Sequence, residues 1–238
     1  MQYIDFDRLE NIDERAYQAQ KPFPWISPEE LLTGDGYSAL LATLPDVSLF
    51  DTRFGVQRKN DQQAHDRYVL EYHDGINLAE PWREYISELK SPRYKANLCR
   101  LLAQPSVTLN FHWHYTPSGC CVSPHADSVR KAGSHIFYFN TDADWDPAWG
   151  GHTVLLDDGG KIPYQSSPRF EDFRAEIPSF ALGNRSLLFS RTERAWHGVH
   201  PIDCPEDKLR KVFIVVVNRN RIVDKIRRRC RRQQFHYY

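Results

Sequence analysis

The hydrophobic pattern divides the chain into a helical first part and a β-rich second part. Between residues 79 and 103 apolar side chains recur every three or four positions, which predicts two packed helices, the second ending near Pro105. Ser27 followed by Pro28 has the sequence of a helix N-terminus, so we expect a helix there too. From residue 106 onward the pattern changes to short runs of β-branched and aromatic residues.

These runs are separated by turn residues, and short strands at such spacing are typical of an all-β sandwich or barrel. In chain order they are VTLNFHWHYT, SHIFYFN, HTVLLDD, SLLFS and KVFIVVVN. We therefore expect a single domain in which a helical and loop region over 1–105 supports a β core over 106–220. A short tail over 221–238 follows the core.

Composition narrows the class of protein. The chain has 238 residues, 41% of them hydrophobic, which suits one globular domain with a sizeable core. No run approaches the roughly 20 apolar residues of a membrane span, and the polar N-terminus lacks the apolar run of a secretory signal. The five cysteines are odd in number and lack CxxC spacing. These features predict a soluble cytoplasmic protein with reduced thiols.

The charge is zero overall but unevenly distributed. Residues 219–232 hold eight cations and one acid, a net +7, which leaves −7 for the rest of the chain. Ile222, Ile226 and Cys230 recur at helical spacing within this basic segment. Such a tail could lie on an anionic membrane or lipopolysaccharide surface, or be a solvated end. Binding to nucleic acid is the less favoured alternative.

One short motif indicates a metal-binding site. In "SPHADSVRKAGSHIFYFN" His125 and Asp127 are two residues apart, so in an extended segment their side chains face the same side. A third ligand is available in "RTERAWHGVHP", where His197 lies. Two histidines and one carboxylate on one face of an ion leave three positions open, and this is the ligand set of non-haem Fe(II) oxygenases.

The segment 106–218 resembles the 2-oxoglutarate and Fe(II)-dependent dioxygenases, in particular their prolyl-hydroxylase-like branch. The matching pieces, in order, are PHAD, IFYFNTDADWDPAWGG, SLLFS and WHGVHPI, followed by LRKVFIVVVN. The resemblance implies a mainly β fold with N-terminal helices, whose core is a double-stranded β-helix (the jelly-roll of cupins). It also implies a hydroxylase that uses Fe(II), 2-oxoglutarate and O₂, with ascorbate as a further candidate.

The resemblance also implies roles for individual residues. His125, Asp127 and His197 would hold the iron, and Arg210 would pair with the distal carboxylate of 2-oxoglutarate. Lys211 competes with Arg210, because the residues that alternate with each of them along the predicted strand are apolar. Two tyrosines match positions on the cosubstrate side of the site in some relatives, with ordinary core packing as the alternative for both. They are Tyr138 and Tyr115.

The substrate is less clearly indicated. The family places loops over the site where Arg130, Lys131, Trp145 and Trp149 occur, and the alternative for these residues is a solvated charge pair or packing. Cationic and aromatic groups near iron favour a small polar or anionic molecule, such as a saccharide or an amino acid. A protein or peptide side chain is the alternative substrate. A catalytically silent β-sandwich that only binds is a third hypothesis, which the intact ligand set disfavours.

Overall fold

The β-rich half of the chain forms two antiparallel sheets, and short helices cover the outer face of the larger one. A computed structural model describes residues 1–57 and 62–220. The helices are α1 (Phe6–Glu10), α2 (Glu14–Ala19), α3 (Gly34–Ala42), α4 (Glu80–Leu89) and α5 (Pro92–Leu101). Short 3₁₀-helices cover Val47–Leu49, Pro147–Trp149 and Phe170–Asp172. Within the described ranges no helix is long and apolar enough to cross a membrane.

The strands pair into one large and one small sheet. They are β1 (Trp25–Ile26), β2 (Asp51–Arg53), β3 (Arg67–Glu71), β4 (Val107–Thr116), β5 (Val122–Ala126), β6 (Lys131–Tyr138), β7 (Val154–Asp157), β8 (Ala175–Pro178), β9 (Ser186–Ser190), β10 (Trp196–Val199) and β11 (Arg210–Arg219). The larger sheet has the order β1-β9-β6-β11-β4-β3-β2, and the smaller has the order β5-β10-β7-β8. This is a double-stranded β-helix, so the predicted mainly β fold with N-terminal helices is confirmed.

The two faces of the larger sheet have different partners. On β11, Phe213 and the residues alternating with it pack against the helices, whereas Val212 and its alternates face the smaller sheet. Trp82 of α4 contacts Trp113 of β4 and Phe213, with ring centroids 5.0 and 5.2 Å apart. The helices thus bury one face of the sheet, and the other face is left to line a cavity between the sheets.

The two helices predicted across 79–103 are confirmed as α4 and α5, each with a proline in its first turn. The prediction of a helix after Ser27 is wrong. This segment is irregular, with Glu29 in an isolated β-bridge to Arg185, and the Ser27 hydroxyl donates to the carbonyl of Ser186 at 2.9 Å. Leu32 is buried and forms a β-bridge with Ile4. Tertiary pairing therefore overrides the local capping signal, and the next helix is α3, capped by Thr33.

Candidate metal and cosubstrate site

The smaller sheet brings the three predicted metal ligands together. His125 on β5 lies directly opposite His197 on the antiparallel strand β10, with ring centroids 4.3 Å apart. Asp127 follows the end of β5, two residues beyond His125 and on the same side. One possible ligand atom from each residue lies within 4.8 Å of the others. A single ion can therefore contact all three side chains.

Backbone contacts orient both imidazoles for a metal. The Nδ1 atom of His125 lies 3.0 Å from the carbonyl oxygen of Ser123, and that of His197 lies 2.9 Å from the carbonyl of Ala195. A carbonyl can only accept, so each Nδ1 carries the hydrogen and each Nε2 keeps its lone pair. This is the usual support for a metal-binding histidine. The donor set and its tautomers therefore fit Fe(II).

Asp127 is buried, yet its surroundings favour the ionised form. The Lys131 ammonium lies 2.7 Å from Oδ1, and the Ser134 hydroxyl donates to Oδ2 at 3.1 Å. Burial alone would raise the pKa of Asp127, but the charge of Lys131 and its hydrogen bond to the carboxylate hold that pKa below its usual value. The carboxylate is consequently available as an anionic ligand at neutral pH.

A second group of residues holds the backbone of Asp127. Arg191, which directly follows β9 and is buried, donates from Nε to the carbonyl oxygen of Asp127 at 2.9 Å. The Tyr164 hydroxyl donates to the same oxygen at 3.3 Å, and its ring lies 4.8 Å from the Arg191 guanidinium. No sequence pattern around Arg191 or Tyr164 indicates this role, because only the fold brings these two side chains close to Asp127.

Arg210 presents a buried guanidinium to the same cavity. Its Nε donates to the carbonyl of Gly151 at 2.5 Å, and Nη2 donates to the Thr153 hydroxyl at 3.2 Å. It is 6% exposed, burial lowers its pKa, and no carboxylate among residues 1–57 and 62–220 forms an ion pair with it. A buried cation without a counter-ion is costly. The position therefore suits an anion, and the distal carboxylate of 2-oxoglutarate fits it.

The turn before β7 leaves space for this arginine. Gly151 has a φ of +84°, and a Cβ there would lie 3.2 Å from the Arg210 side chain and 3.2 Å from the Trp145 ring. Lys211, the competing candidate, lies outside the cavity lining, and its Nζ contacts Asp144 at 2.7 Å. The alternation of β11 thus directs Arg210, and not Lys211, into the cavity.

The two tyrosines predicted near the cosubstrate have different positions. Tyr138 adjoins Arg210, whose guanidinium lies 5.9 Å from its ring, and its hydroxyl donates to Thr153 at 3.0 Å. Tyr115 does not have the predicted position on the cosubstrate side of the site, because it lies on the helix-covered face of β4. There its hydroxyl donates to the carbonyl of Pro45 at 3.1 Å.

Only one of the four predicted substrate contacts lines the cavity, namely Lys131. Arg130 lies in the turn directly before β6 and is not among the residues that line the cavity. Trp145 is buried, donates from Nε1 to the carbonyl of Gly150 at 3.1 Å, and packs against Trp149 with ring centroids 5.5 Å apart. Arg130, Trp145 and Trp149 thus lie outside the cavity lining, and their contact with a substrate stays a prediction.

Sequence reasoning did not identify the wall of the cavity formed by β3 and β4. His112 and His114 alternate with Phe111 and Trp113 on β4, and this alternation is the signal that could have placed them on the inner face. Burial lowers the pKa of His112 to about 3 and holds that of His114 well below its usual value. Both imidazoles are therefore neutral at pH 7. His65, Arg53, Arg67 and Glu71 complete this wall.

Comparisons with known proteins agree with this geometry. Residues 110–216 match the family model described as the 2OG-Fe(II) oxygenase superfamily. No curated protein matches the chain. Each of the solved structures below is less than 25% identical, so the likeness shows the fold.

A Pseudomonas putida prolyl-4-hydroxylase is 17% identical with a TM-score of 0.58, covering 82% of this chain and 92% of that one. A Trichoplax adhaerens prolyl hydroxylase, in complex with a peptide fragment of the hypoxia inducible factor oxygen degradation domain, is 14% identical with a TM-score of 0.61, covering 96% and 94%. The non-haem α-ketoglutarate-dependent carbocyclase SnoK from nogalamycin biosynthesis is 12% identical with a TM-score of 0.59, covering 93% and 92%.

The family match and the site coincide in the chain. The matched segment begins within β4 and ends within β11, so it spans the strands that carry His125, Asp127, His197 and Arg210. The solved structures share the two-sheet fold. The clustered side chains of His125, Asp127 and His197 supply the ligand set of a non-haem Fe(II) site. On these grounds residues 110–216, which carry the candidate site, are similar to the 2OG-Fe(II) oxygenase superfamily.

Proposed function

We propose that this protein is an Fe(II)- and 2-oxoglutarate-dependent oxygenase that hydroxylates an unactivated C–H bond of a small polar or anionic molecule, such as a saccharide or an amino acid. The observation that carries the proposal is that the His–Asp–His cluster and the Arg210 guanidinium open onto one cavity of about 140 Å³ between the sheets. Metal, cosubstrate and a small substrate can thus meet in one cavity.

Each group in the site has a proposed role. His125, Asp127 and His197 hold Fe(II), which when bound supplies the activation of O₂ and the decarboxylation of 2-oxoglutarate. Arg210 receives the distal carboxylate of 2-oxoglutarate, and its planar guanidinium suits that anion. Hydrogen bonds to Gly151 and Thr153 hold the guanidinium in place before the anion arrives. This preorganisation lowers the cost of binding.

The remaining roles concern Asp127 and the cosubstrate. Lys131 and Ser134 keep the Asp127 carboxylate ionised and oriented. Tyr138 supports the cosubstrate site indirectly, because its hydroxyl holds Thr153.

The character of the cavity supports a small polar substrate. The wall opposite the metal ligands carries imidazoles and charged side chains from β3 and β4 and the segment before β3. Polar groups that converge in a cavity provide orientation and specificity for small molecules. Structural relatives include both a peptide-bound prolyl hydroxylase and a biosynthetic carbocyclase, so a peptide substrate is the alternative that the experiment must separate.

A mass-spectrometric screen tests the proposal. The purified protein is incubated with Fe(II), 2-oxoglutarate and ascorbate, and with separate pools of saccharides, amino acids and peptides. We expect the gain of one oxygen atom by a small molecule, accompanied by succinate, and no product from the His125→Ala variant. Omitting ascorbate shows whether this reductant is required.

Two outcomes would contradict the proposal. Products found in the peptide pool alone would replace the small-molecule substrate with a peptide side chain. Bound metal without any consumption of 2-oxoglutarate in any pool would favour the silent binding module.

The basic tail at 221–238 lies outside the described residues. Its proposed contact with an anionic membrane or lipopolysaccharide, which would make the cytoplasmic enzyme peripheral to that surface, therefore stays a prediction from charge. Each cation near such a surface contributes about 1 kcal/mol. Vesicles of anionic phospholipid should bind the full chain at low salt more strongly than a variant ending at Arg221. Equal binding of the two proteins would contradict the prediction.

A further inference from the structure

The smaller sheet does not hold the three clustered metal ligands equally. His125 and His197 are directly opposite each other in the ladder of β5 and β10, so backbone pairing fixes both residues. Asp127 lies one residue beyond Ala126, which is the last residue of β5 with a partner on β10. The ladder therefore ends before Asp127, and other groups must determine the direction of its carboxylate.

Side chains contact all three oxygen atoms of Asp127. Lys131 and Ser134 of β6 contact the two carboxylate oxygens, Oδ1 at 2.7 Å and Oδ2 at 3.1 Å. Arg191 Nε and the Tyr164 hydroxyl both donate to the backbone carbonyl oxygen, at 2.9 and 3.3 Å. A carbonyl oxygen has two lone pairs, so it can accept both bonds. Because this oxygen is not one of the clustered ligand atoms, both bonds can persist when an ion binds.

Arg191 is held in place by β6 and by Tyr164. Its backbone N–H donates to the carbonyl of Ala132 at 2.8 Å, which extends the pairing of β9 with β6 by one residue. Its guanidinium carbon lies 4.8 Å from the centre of the Tyr164 ring, which is a cation–π contact. The backbone and the guanidinium of Arg191 both have fixed neighbours, so the donor to the Asp127 carbonyl is preorganised.

The burial of Arg191 has a cost that the stability of the fold does not explain. The residue is 7% exposed, and among the described residues its Nη2 atom has no hydrogen-bond partner. A buried charge and an unpaired buried donor both cost free energy. Proteins retain such costs mainly at functional sites, and the functional neighbour of Arg191 is Asp127.

The loop between β7 and β8 presents Tyr164 through a strained backbone. Gln165, the next residue, has a φ of +67°, in the left-handed region that residues other than glycine rarely adopt. Such strain persists where surrounding contacts enforce it, and it occurs most often at functional sites. Asp158 anchors the start of the loop by accepting from the backbone N–H of Ile162 at 3.1 Å. The loop thus holds the Tyr164 ring against Arg191.

We propose that Arg191 is a positioning residue for the metal ligand Asp127, and that Tyr164 supports it. By fixing the carbonyl just beyond the end of β5, Arg191 sets the direction of the adjacent carboxylate and thereby the affinity for the ion. Arg191 and Tyr164 are not among the residues that line the cavity, so they act on the ligand from outside it. This inference rests on the proposed function, which places Fe(II) at this cluster, and adds a residue that determines how tightly the ion is held.

Binding of Mn(II) to the full-length protein, measured by electron paramagnetic resonance, tests the inference. Arg191→Met keeps most of the side-chain volume but removes the donors. We expect it to weaken Mn(II) binding about 10–100-fold, which is the usual effect of losing a group that supports a metal ligand. The shape of the Mn(II) spectrum should also change, because the ligand is displaced. Arg191→Lys should weaken binding less, since lysine keeps the charge but loses the planar guanidinium.

Two further variants complete the series. Tyr164→Phe should weaken Mn(II) binding less than Arg191→Met, because the bond from Arg191 to the carbonyl remains. Arg185→Met is the matched control and should bind Mn(II) like the native protein. Arg185 lies at the other end of β9, where it is paired with Glu29 at 2.7 Å.

A merely structural role of Arg191 predicts a different result. It would lower the unfolding temperature of the metal-free protein but leave the Mn(II) affinity and spectrum of the folded molecules unchanged. Circular dichroism of the metal-free variants measures the unfolding. Native Mn(II) affinity and spectrum in folded Arg191→Met would overturn the inference. If Arg191→Met does not fold, the same result in Arg191→Lys would overturn it, and weakened binding there would support it.

Consumption of 2-oxoglutarate tests the proposed function separately. Native protein that binds Mn(II) but consumes no 2-oxoglutarate would contradict the oxygenase proposal, while the metal affinities would still decide the role of Arg191. Absence of Mn(II) binding by the native protein would overturn both. If both hold, excess Fe(II) should restore turnover in Arg191→Met, because this variant is deficient only in holding the metal.

Discussion

Replacing His197 by alanine should abolish turnover of 2-oxoglutarate and weaken binding of Fe(II) or Mn(II) by more than about a hundredfold. Loss of residues that merely support a metal ligand already costs about 10–100-fold in affinity or activity, and loss of the ligand itself should cost more. Only two of the three clustered side chains would remain to hold the ion. Electron paramagnetic resonance of Mn(II) measures the affinity, and succinate formation measures the turnover.

A nearby histidine provides the control for this experiment. His200 lies three residues beyond His197, but its Nε2 contacts Glu176 at 2.7 Å and its ring stacks on Phe170. His200→Ala should therefore bind the metal like the native protein. Equal metal binding by His197→Ala and His200→Ala would show that the cluster at His125, Asp127 and His197 is not the metal site.

The second large effect is expected at Arg210. Arg210→Ala should raise the KM for 2-oxoglutarate about 10–150-fold, which corresponds to the roughly 1.5–3 kcal/mol of a hydrogen bond to a charged group. The metal affinity should stay unchanged, since Arg210 is not among the clustered ligands. Arg210→Lys should give an intermediate KM, because a lysine keeps the charge but loses the planar fork. Initial rates of succinate formation over a range of 2-oxoglutarate concentrations provide the measurement.

Lys211→Ala is the matched control, because Lys211 is paired with Asp144 outside the cavity. Its KM for 2-oxoglutarate should equal that of the native protein. A large effect of Lys211→Ala together with no effect of Arg210→Ala would move the cosubstrate contact by one residue.

The sequence was most informative where the site depends on local geometry. His125 and Asp127 are two residues apart, and any extended backbone brings such side chains to one side. The strands of the core were also predictable, because β-branched and aromatic runs between turns indicate strands without reference to distant residues. The predicted runs correspond to β4, β6, β7, β9 and β11.

Sequence reasoning failed where a side chain's role depends on which face of a strand the helices cover. Along β11, the residues that alternate with Arg210 and those that alternate with Lys211 are both apolar. Only the packing of α4 against Phe213 shows which of these two sets faces the helices. Tyr115 was misplaced for the same reason. Arg67 lies on a strand of five residues whose position is set by pairing with β4, a contact that no local pattern indicates.

The direct opposition of His125 and His197 links the metal to the folding of the smaller sheet. A slip of one residue between β5 and β10 would turn one imidazole to the other side of the sheet, so mispaired forms lack the complete ligand set. An ion that binds only the correctly paired form would stabilise it by about 2.7 kcal/mol at a concentration 100 times its dissociation constant. Iron supply would in this way affect the fidelity with which newly made chains reach the native pairing, as well as their activity.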